Sequence, residues 1–123
     1  MRYLSILKRV EAVSSECVFC KIVAGDLPAQ ILAQNTEVIV IKDINPRTLF
    51  HYLIIPKKHI RDLSCLTSDD RHIAASLLMM AQELSQQDPK AREFRLVSNN
   101  GASVGQVVFH IHLHFLAGKV LSE

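Results

Sequence analysis

The sequence predicts an α+β fold in which an antiparallel sheet of about five strands carries one long helix. Three short apolar runs separated by turn residues come first, a stretch with helical periodicity follows, and two more apolar runs end the chain. Strands joined by short links tend to pair antiparallel, and a helix between them packs on the sheet. With 123 residues, 49% of them hydrophobic, the chain is long enough for one domain with a real core.

The five predicted strands are short and are separated by residues that favour turns. Asn35-Thr36 and Asp43-Ile44-Asn45-Pro46 separate the first three strands, and Gly101 and Gly105 lie in the link before the last one. The predicted strands span residues 30–33, 37–42, 49–55, 94–98 and 107–116.

The long helix is predicted after Thr67, which has with Asp70 the spacing of a capping box. It ends before Asp88-Pro89. We expect its apolar stripe and the Met79-Met80 pair to pack into the core. The stripe consists of Ile73, Leu77, Leu78, Met80, Ala81 and Leu84.

Residues 1–16 are expected to be an extension, and residues 17–123 the domain proper. Apolar and basic residues alternate in the extension with a spacing that suits one short amphipathic helix, and a loose tail is the alternative.

Composition excludes several classes of function. A formal charge of +2 does not favour nucleic acid as a partner, and no apolar run approaches the ~20 residues that cross a membrane. Three cysteines do not make a secreted disulfide scaffold. We therefore expect a soluble, cytoplasmic protein.

Three histidines alternate along the last predicted strand. Successive side chains of a strand point to opposite faces, so His110, His112 and His114 are expected on one face, with Phe109 and Ile111 on the other. Such a row suits two chemistries. Alternate imidazoles can coordinate a catalytic metal, or one neutral imidazole can attack phosphorus while its neighbours bind the phosphate oxygens.

The link before this strand favours the phosphate chemistry. Gly105 allows the backbone to approach a ligand closely, and Asn99, Ser103 and Gln106 offer polar groups. A catalytic metal site more often has a carboxylate beside its histidines, and residues 107–118 contain none.

The run His110-Ile111-His112-Leu113-His114-Phe115-Leu116 resembles the signature of the histidine-triad family, which is His-φ-His-φ-His-φ-φ with φ hydrophobic. The resemblance covers residues 17–118 and includes residues 17–22, Asp43-Ile44, residues 51–59 and residues 99–106. It is strongest to the Hint branch, the nucleoside phosphoramidases.

This resemblance implies that His112 attacks the α-phosphate, and that water then hydrolyses the nucleotidyl-histidine intermediate to a nucleoside monophosphate. His51 and His114 would hold the phosphate, Asn99, Gly105 and Gln106 would add donors, and His110 would orient the site. No metal is needed for the chemistry itself. Asp43 would bind the ribose hydroxyls, although it also suits a turn residue.

The same resemblance implies a purine pocket lined by apolar side chains. Ordinary core packing is the alternative for these residues. They are Phe19, Ile22, Ile41, Ile44 and Leu53.

Two further residues bear on the type of reaction and on its leaving group. The related uridylyltransferase branch carries glutamine at the third histidine, so His114 indicates hydrolysis by analogy. Val107 stands where close Hint relatives have a serine that assists the leaving group.

Cys17 and Cys20 have the spacing of zinc ligands, and His59 is a candidate third. The resemblance implies His110 as the fourth. Four protein ligands would make such a zinc structural, and the alternative is two buried reduced cysteines with His59 capping a loop. Cys65 is expected in the core.

The leading hypothesis is a purine nucleoside phosphoramidase, homodimeric by family resemblance. Its alternatives are a dinucleoside polyphosphate hydrolase and a nucleotide-binding module with incidental activity.

Overall fold

The computed structural model describes residues 16–119, which form two helices and one five-stranded antiparallel sheet. The sheet order is β1-β2-β3-β5-β4. This confirms the predicted α+β fold with its one long helix. The predicted N-terminal extension lies outside the described residues except for Glu16. The elements are α1 (Val18–Ala24), β1 (Ile31–Gln34), β2 (Val38–Lys42), β3 (Phe50–Pro56), α2 (Arg71–Ser85), β4 (Phe94–Val97) and β5 (Leu113–Ala117).

A different helix covers each face of the inner part of the sheet, whereas the edge strands β1 and β4 are largely exposed. Alternate residues of β2 point to opposite faces, so Val40 packs with α2 while Ile41 packs with Phe19 of α1. Strand β3 lies at the centre and pairs with β2 and β5, with Leu53 opposite both Ile41 and His114. His114 on β5 therefore lies next to the central strand of the sheet.

Helix α2 begins where the capping box predicts. The backbone N–H of Thr67 donates to Asp70, whose carboxylate ends a short 3-10 turn that leads into the helix. The predicted stripe is buried except for Leu78, which is 62% exposed. Met79 is 56% exposed, so the prediction that both methionines lie in the core is wrong for Met79. Each helical residue turns by about 100°, which carries positions 78 and 79 away from the sheet.

A short N-terminal helix was expected in residues 1–16, and the structure has one, α1, just after them at Val18–Ala24. Cys17 caps its first turn, since the Cys17 Sγ accepts a hydrogen bond from the Cys20 N–H at 3.4 Å. Gly25 ends it in the left-handed region at a φ of 84°, which favours glycine. The helix buries Phe19, Cys20 and Ile22 against the sheet.

The predicted strand 107–116 is shorter than expected, because pairing begins only at Leu113. Continuing the register of Ile54 with Leu113 would set Pro56 opposite Ile111, and proline has no N–H to donate. The Ile111 N–H donates instead to the Ile60 carbonyl at 2.8 Å. His110 and His112 thus precede the strand. Of the two apolar residues expected on the opposite face, Ile111 is buried and Phe109 is 46% exposed.

Among residues 16–119, neither helix has the length and apolar composition needed to cross a bilayer.

Candidate active site

His112 lies one residue before β5 and is half-buried. Its Nδ1 lies 2.8 Å from the His110 carbonyl oxygen. A carbonyl oxygen only accepts hydrogen bonds, so Nδ1 carries the proton and the neutral ring keeps a lone pair on Nε2. Burial lowers the pKa of His112, which holds the ring neutral at physiological pH. His112 therefore has a nucleophilic nitrogen in a fixed orientation.

Phe19 fixes the face of the His112 ring. Helix α1 places the Phe19 ring in a T-shaped contact with His112 at a centroid distance of 5.1 Å, and with His110 at 5.8 Å. Edge-to-face contacts of this kind stabilise a pair of rings by about 0.5–1.5 kcal/mol beyond their area burial. Phe19 was expected to line a purine pocket, and in the structure its ring contacts two site histidines.

His51 on β3 is almost fully buried, and both of its nitrogens have partners within the chain. Its Nδ1 accepts from the Arg47 N–H at 3.0 Å. A peptide N–H only donates, so the proton of neutral His51 sits on Nε2. That nitrogen lies 3.0 Å from the His114 Nδ1 and 3.2 Å from the Asp43 Oδ2. Burial lowers the pKa of His51, so its neutral form prevails.

The proton on His51 determines the proton on His114. Because the His51 Nε2–H faces the His114 Nδ1, that nitrogen must accept, and neutral His114 carries its proton on Nε2. Burial, with repulsion from His112 and His51, lowers the pKa of His114 to about 4. His114 is thus a neutral hydrogen-bond donor beside His112, with ring centroids 5.2 Å apart.

Four potential metal ligands meet behind these histidines. The Sγ atoms of Cys17 and Cys20 and the Nδ1 atoms of His59 and His110 all lie within 4.8 Å of one another. The His110 Nε2–H donates to the Pro56 carbonyl at 2.8 Å, which leaves a lone pair on Nδ1 aimed at this cluster. Hydrogen bonds, led by that from Cys20, lower the pKa of Cys17 to about 2.

The spacing of the four atoms is close to that of tetrahedral zinc ligands, with the two distances to His59 slightly short. Bonds of ~2.3 Å to sulfur and ~2.0 Å to nitrogen set neighbouring ligand atoms roughly 3.3–3.8 Å apart. The Nδ1 of His110 lies 3.3 Å from the Cys17 Sγ, 3.6 Å from the Cys20 Sγ and 3.1 Å from the His59 Nδ1. The Cys20 Sγ lies 3.2 Å from the His59 Nδ1. His112 is in neither potential metal cluster found among residues 16–119.

The predicted purine pocket is only partly assembled. Phe19, Ile22, Ile41 and Leu53 belong to one buried cluster between α1 and the sheet, so much of their surface is used in core packing. Ile44 stands apart from them, 91% exposed in the turn after β2.

The glycine-containing link before the histidines is held by Gln106, which is buried. Its side-chain oxygen accepts from the Gly101 N–H at 2.8 Å, and its amide nitrogen donates to the carbonyls of Arg61 and Val108. Gln106 therefore fixes the loop, while Gly105 has a φ of 104° that disfavours a side chain. Asn99 lies beside Gly105, and its side chain has no hydrogen-bond partner among residues 16–119.

Two hydrogen-bond partners of the site histidines could not be predicted from the sequence, because they are backbone groups. The Arg47 N–H fixes the proton of His51, and the Pro56 carbonyl fixes that of His110. No side-chain pattern marks either one. The sequence does show that both residues border the turn and strand that carry His51.

Comparisons with known proteins find similar sequences and structures. Residues 16–122 match the protein family described as "Scavenger mRNA decapping enzyme C-term binding". An uncharacterized HIT-like protein from Synechocystis sp. is 40% identical over 109 residues, which cover 89% of this chain and 96% of that protein.

Several solved structures are also similar to this chain. A HIT family hydrolase from Legionella pneumophila has 38% sequence identity and a TM-score of 0.81, over 86% of this chain and 96% of that chain. A histidine triad protein from Clostridium difficile has 31% identity and a TM-score of 0.84, over 89% of this chain and 96% of that chain.

Proposed function

Because the chain belongs to the histidine-triad family, we propose that it hydrolyses purine nucleotides at the α-phosphate, with His112 as the nucleophile. The observation that carries this proposal is the hydrogen bond from the His112 Nδ1 to the His110 carbonyl. It leaves the Nε2 lone pair of a neutral, half-buried imidazole free to attack phosphorus.

In the first step the His112 Nε2 attacks the α-phosphorus of a nucleoside phosphoramidate. A bond from phosphorus to Nε2 forms, the phosphorus–nitrogen bond to the leaving group breaks, and the amine departs with a proton from solvent. The His112 ring becomes cationic as Nε2 is substituted. Its Nδ1–H still donates to the His110 carbonyl, a charge-assisted bond that stabilises this cation.

In the second step water attacks the nucleotidyl-histidine. The bond between phosphorus and Nε2 breaks, the water proton goes to solvent, and His112 regains its lone pair. In both steps the His114 Nε2–H donates to a non-bridging phosphate oxygen, where negative charge develops. His51 acts through His114, because both of its nitrogens are occupied within the chain.

Substrate selection in this proposal follows the apolar cluster beside His112. Phe19 and Ile22 belong to this cluster, and the family resemblance implies that a purine base contacts them. The expected ribose contact of Asp43 stays a prediction, and so does the contribution of Asn99 to phosphate binding. We assign Gln106 to loop support, because its amide is hydrogen-bonded to the backbone.

We also propose that Cys17, Cys20, His59 and His110 hold a structural zinc ion. Four protein ligands fill a tetrahedral site, so the metal would cross-link α1 to the segment before β5 and supply no open position for water. His110 joins this cluster to the active site, since its ring faces the metal ligands and its carbonyl accepts from His112.

The test is the steady-state hydrolysis of adenosine 5′-phosphoramidate by the purified chain and by His112→Ala. We expect the variant to lose at least a thousandfold in kcat while it still binds AMP. His72→Ala is the matched control, because His72 is exposed on α2, and it should retain full activity. Comparable turnover by His112→Ala would refute the assignment. Faster turnover of diadenosine polyphosphates than of the phosphoramidate would select the polyphosphate hydrolase instead.

A further inference from the structure

The turn that joins β2 to β3 contacts both nitrogens of His51. At one end of the turn Asp43 lies 3.2 Å from the His51 Nε2, and at the other end the Arg47 N–H donates to the His51 Nδ1 at 3.0 Å. The turn itself is closed by Asp43, whose Oδ1 accepts from the Asn45 N–H at 2.8 Å. One carboxylate thus shapes the turn and faces the imidazole.

We infer that Asp43 is a positioning residue, which acts through His51 to hold the Nε2–H of His114 toward the substrate phosphate. The inference rests on the proposed function. Its path is a continuous set of hydrogen bonds: the His51 Nε2–H is shared between the Asp43 Oδ2 and the His114 Nδ1, at 3.2 Å and 3.0 Å. This role is separate from any contact between Asp43 and ribose.

The burial of the three groups makes the link effective. The side chain of His51 is 1% exposed, and that of Asp43 is 17% exposed. Water therefore does not compete freely for the shared proton, and charge-assisted hydrogen bonds gain strength in such surroundings.

The same three side chains have the spacing of metal ligands, but the tautomer of His51 argues against a metal there. Ligation through the His51 Nε2 would move its proton to Nδ1. That nitrogen already accepts the Arg47 N–H, so two N–H groups would then face each other at 3.0 Å. The hydrogen-bonded arrangement satisfies every group without this conflict.

Asp43→Asn tests the inference with little change in shape. The amide oxygen can still accept from the Asn45 N–H, and the NH₂ group then faces the His51 Nε2–H in place of an acceptor. Loss of one charge-assisted hydrogen bond predicts a fall in kcat of about ten- to a hundredfold. Asp26→Asn removes the same charge at an exposed position and is expected to leave kcat unchanged.

A substrate without ribose hydroxyls separates positioning from ribose binding. We expect Asp43→Asn to lower kcat by the same factor on adenosine 5′-phosphoramidate and on its 2′,3′-dideoxy analogue. If the loss occurs only with the ribose substrate, or only as a higher KM, Asp43 contacts the ribose alone and the inference is wrong. Asp43→Ser serves where Asp43→Asn fails to fold, because its hydroxyl can close the turn and is too short to reach His51.

Histidine NMR on the substrate-free protein gives a readout that does not depend on turnover. We expect ¹⁵N shifts with the proton on Nε2 for both His51 and His114, and a change in both signals in Asp43→Asn but not in Asp26→Asn. Unchanged signals would overturn the inference. If the signals change while the wild-type chain hydrolyses no nucleotide, the proposed function fails and the hydrogen-bonded link from Asp43 to His114 stands.

Discussion

Acid should destabilise the folded chain through His114. Its pKa is lowered from 6.5 to about 4 by burial and by the neighbouring His112 and His51. Above pH 6.5 His114 is neutral in both the folded and the unfolded chain, so it contributes no pH dependence. Between pH 6.5 and 4 the unfolded chain binds a proton that the folded chain does not, and stability falls as the pH falls.

The size of the effect follows from the shift. Each pH unit in this window costs about 1.4 kcal/mol, so His114 would account for a loss of about 3 kcal/mol in the free energy of unfolding by pH 4. Below pH 4 both states are protonated, and this contribution changes no further. The His114 side chain is only partly buried, so solvent screens part of this effect and about 3 kcal/mol is its upper limit.

Urea unfolding at a series of pH values from about 7.5 to about 4.5 measures this dependence. The comparison is between the wild-type chain and His114→Gln, which cannot titrate at this position, and His72→Gln is the exposed control. We expect the wild-type curve and that of His72→Gln to fall together, and that of His114→Gln to be flatter by about 1 kcal/mol per pH unit. Parallel curves for wild type and His114→Gln would refute the assignment of His114 as a buried neutral donor.

Two further predictions concern the metal cluster and the loop before the histidines. We expect elemental analysis to find one zinc ion per chain and none in Cys20→Ser, whose free energy of unfolding should fall by about 3 kcal/mol or more, while Cys65→Ser keeps its zinc. An intact zinc content in Cys20→Ser would contradict the four-ligand site. The resemblance implies that Val107 takes the place of a serine that assists the leaving group, so Val107→Ser is expected to raise kcat on a phosphoramidate about fivefold, the value of one hydrogen bond. Val104→Ser, on the same exposed loop, is the control, and equal rates for the two variants would rule out a hydroxyl contact to the leaving group.

Local patterns predicted the sheet and the long helix because each strand and α2 has its own periodicity. The residue at which β5 begins depends instead on a residue that is distant in the sequence. Pro56 lies on another strand, and its missing N–H together with the bond from Ile111 to Ile60 stops the pairing at Leu113. A pattern read along residues 107–116 alone has no access to this constraint.

The candidate site likewise combines features that the sequence showed with features that only the structure showed. The alternation of the three histidines and the spacing of Cys17 and Cys20 were visible in the sequence, and the structure brings those cysteines to His59 and His110. The protonation of each ring was not visible, because backbone groups at Arg47 and Pro56 determine it. Chain topology brings these groups to the imidazoles.

The three histidines of the row have different surroundings. His110 directs its ring toward the cysteines and its carbonyl toward His112, so it belongs to both the group of potential metal ligands and the candidate active site. His112 and His114 direct their remaining nitrogens to a common substrate in our proposal.

The most direct test of the central claim is to trap the covalent intermediate. The chain would be mixed with adenosine 5′-phosphoramidate for one turnover, quenched in alkaline denaturant because phosphorus–nitrogen bonds hydrolyse in acid, and analysed by peptide mass spectrometry. We predict one adenylyl group on His112, which forms and decays at rates compatible with kcat. An adduct on another residue, or full turnover with no adduct at any time point, would contradict nucleophilic attack by His112.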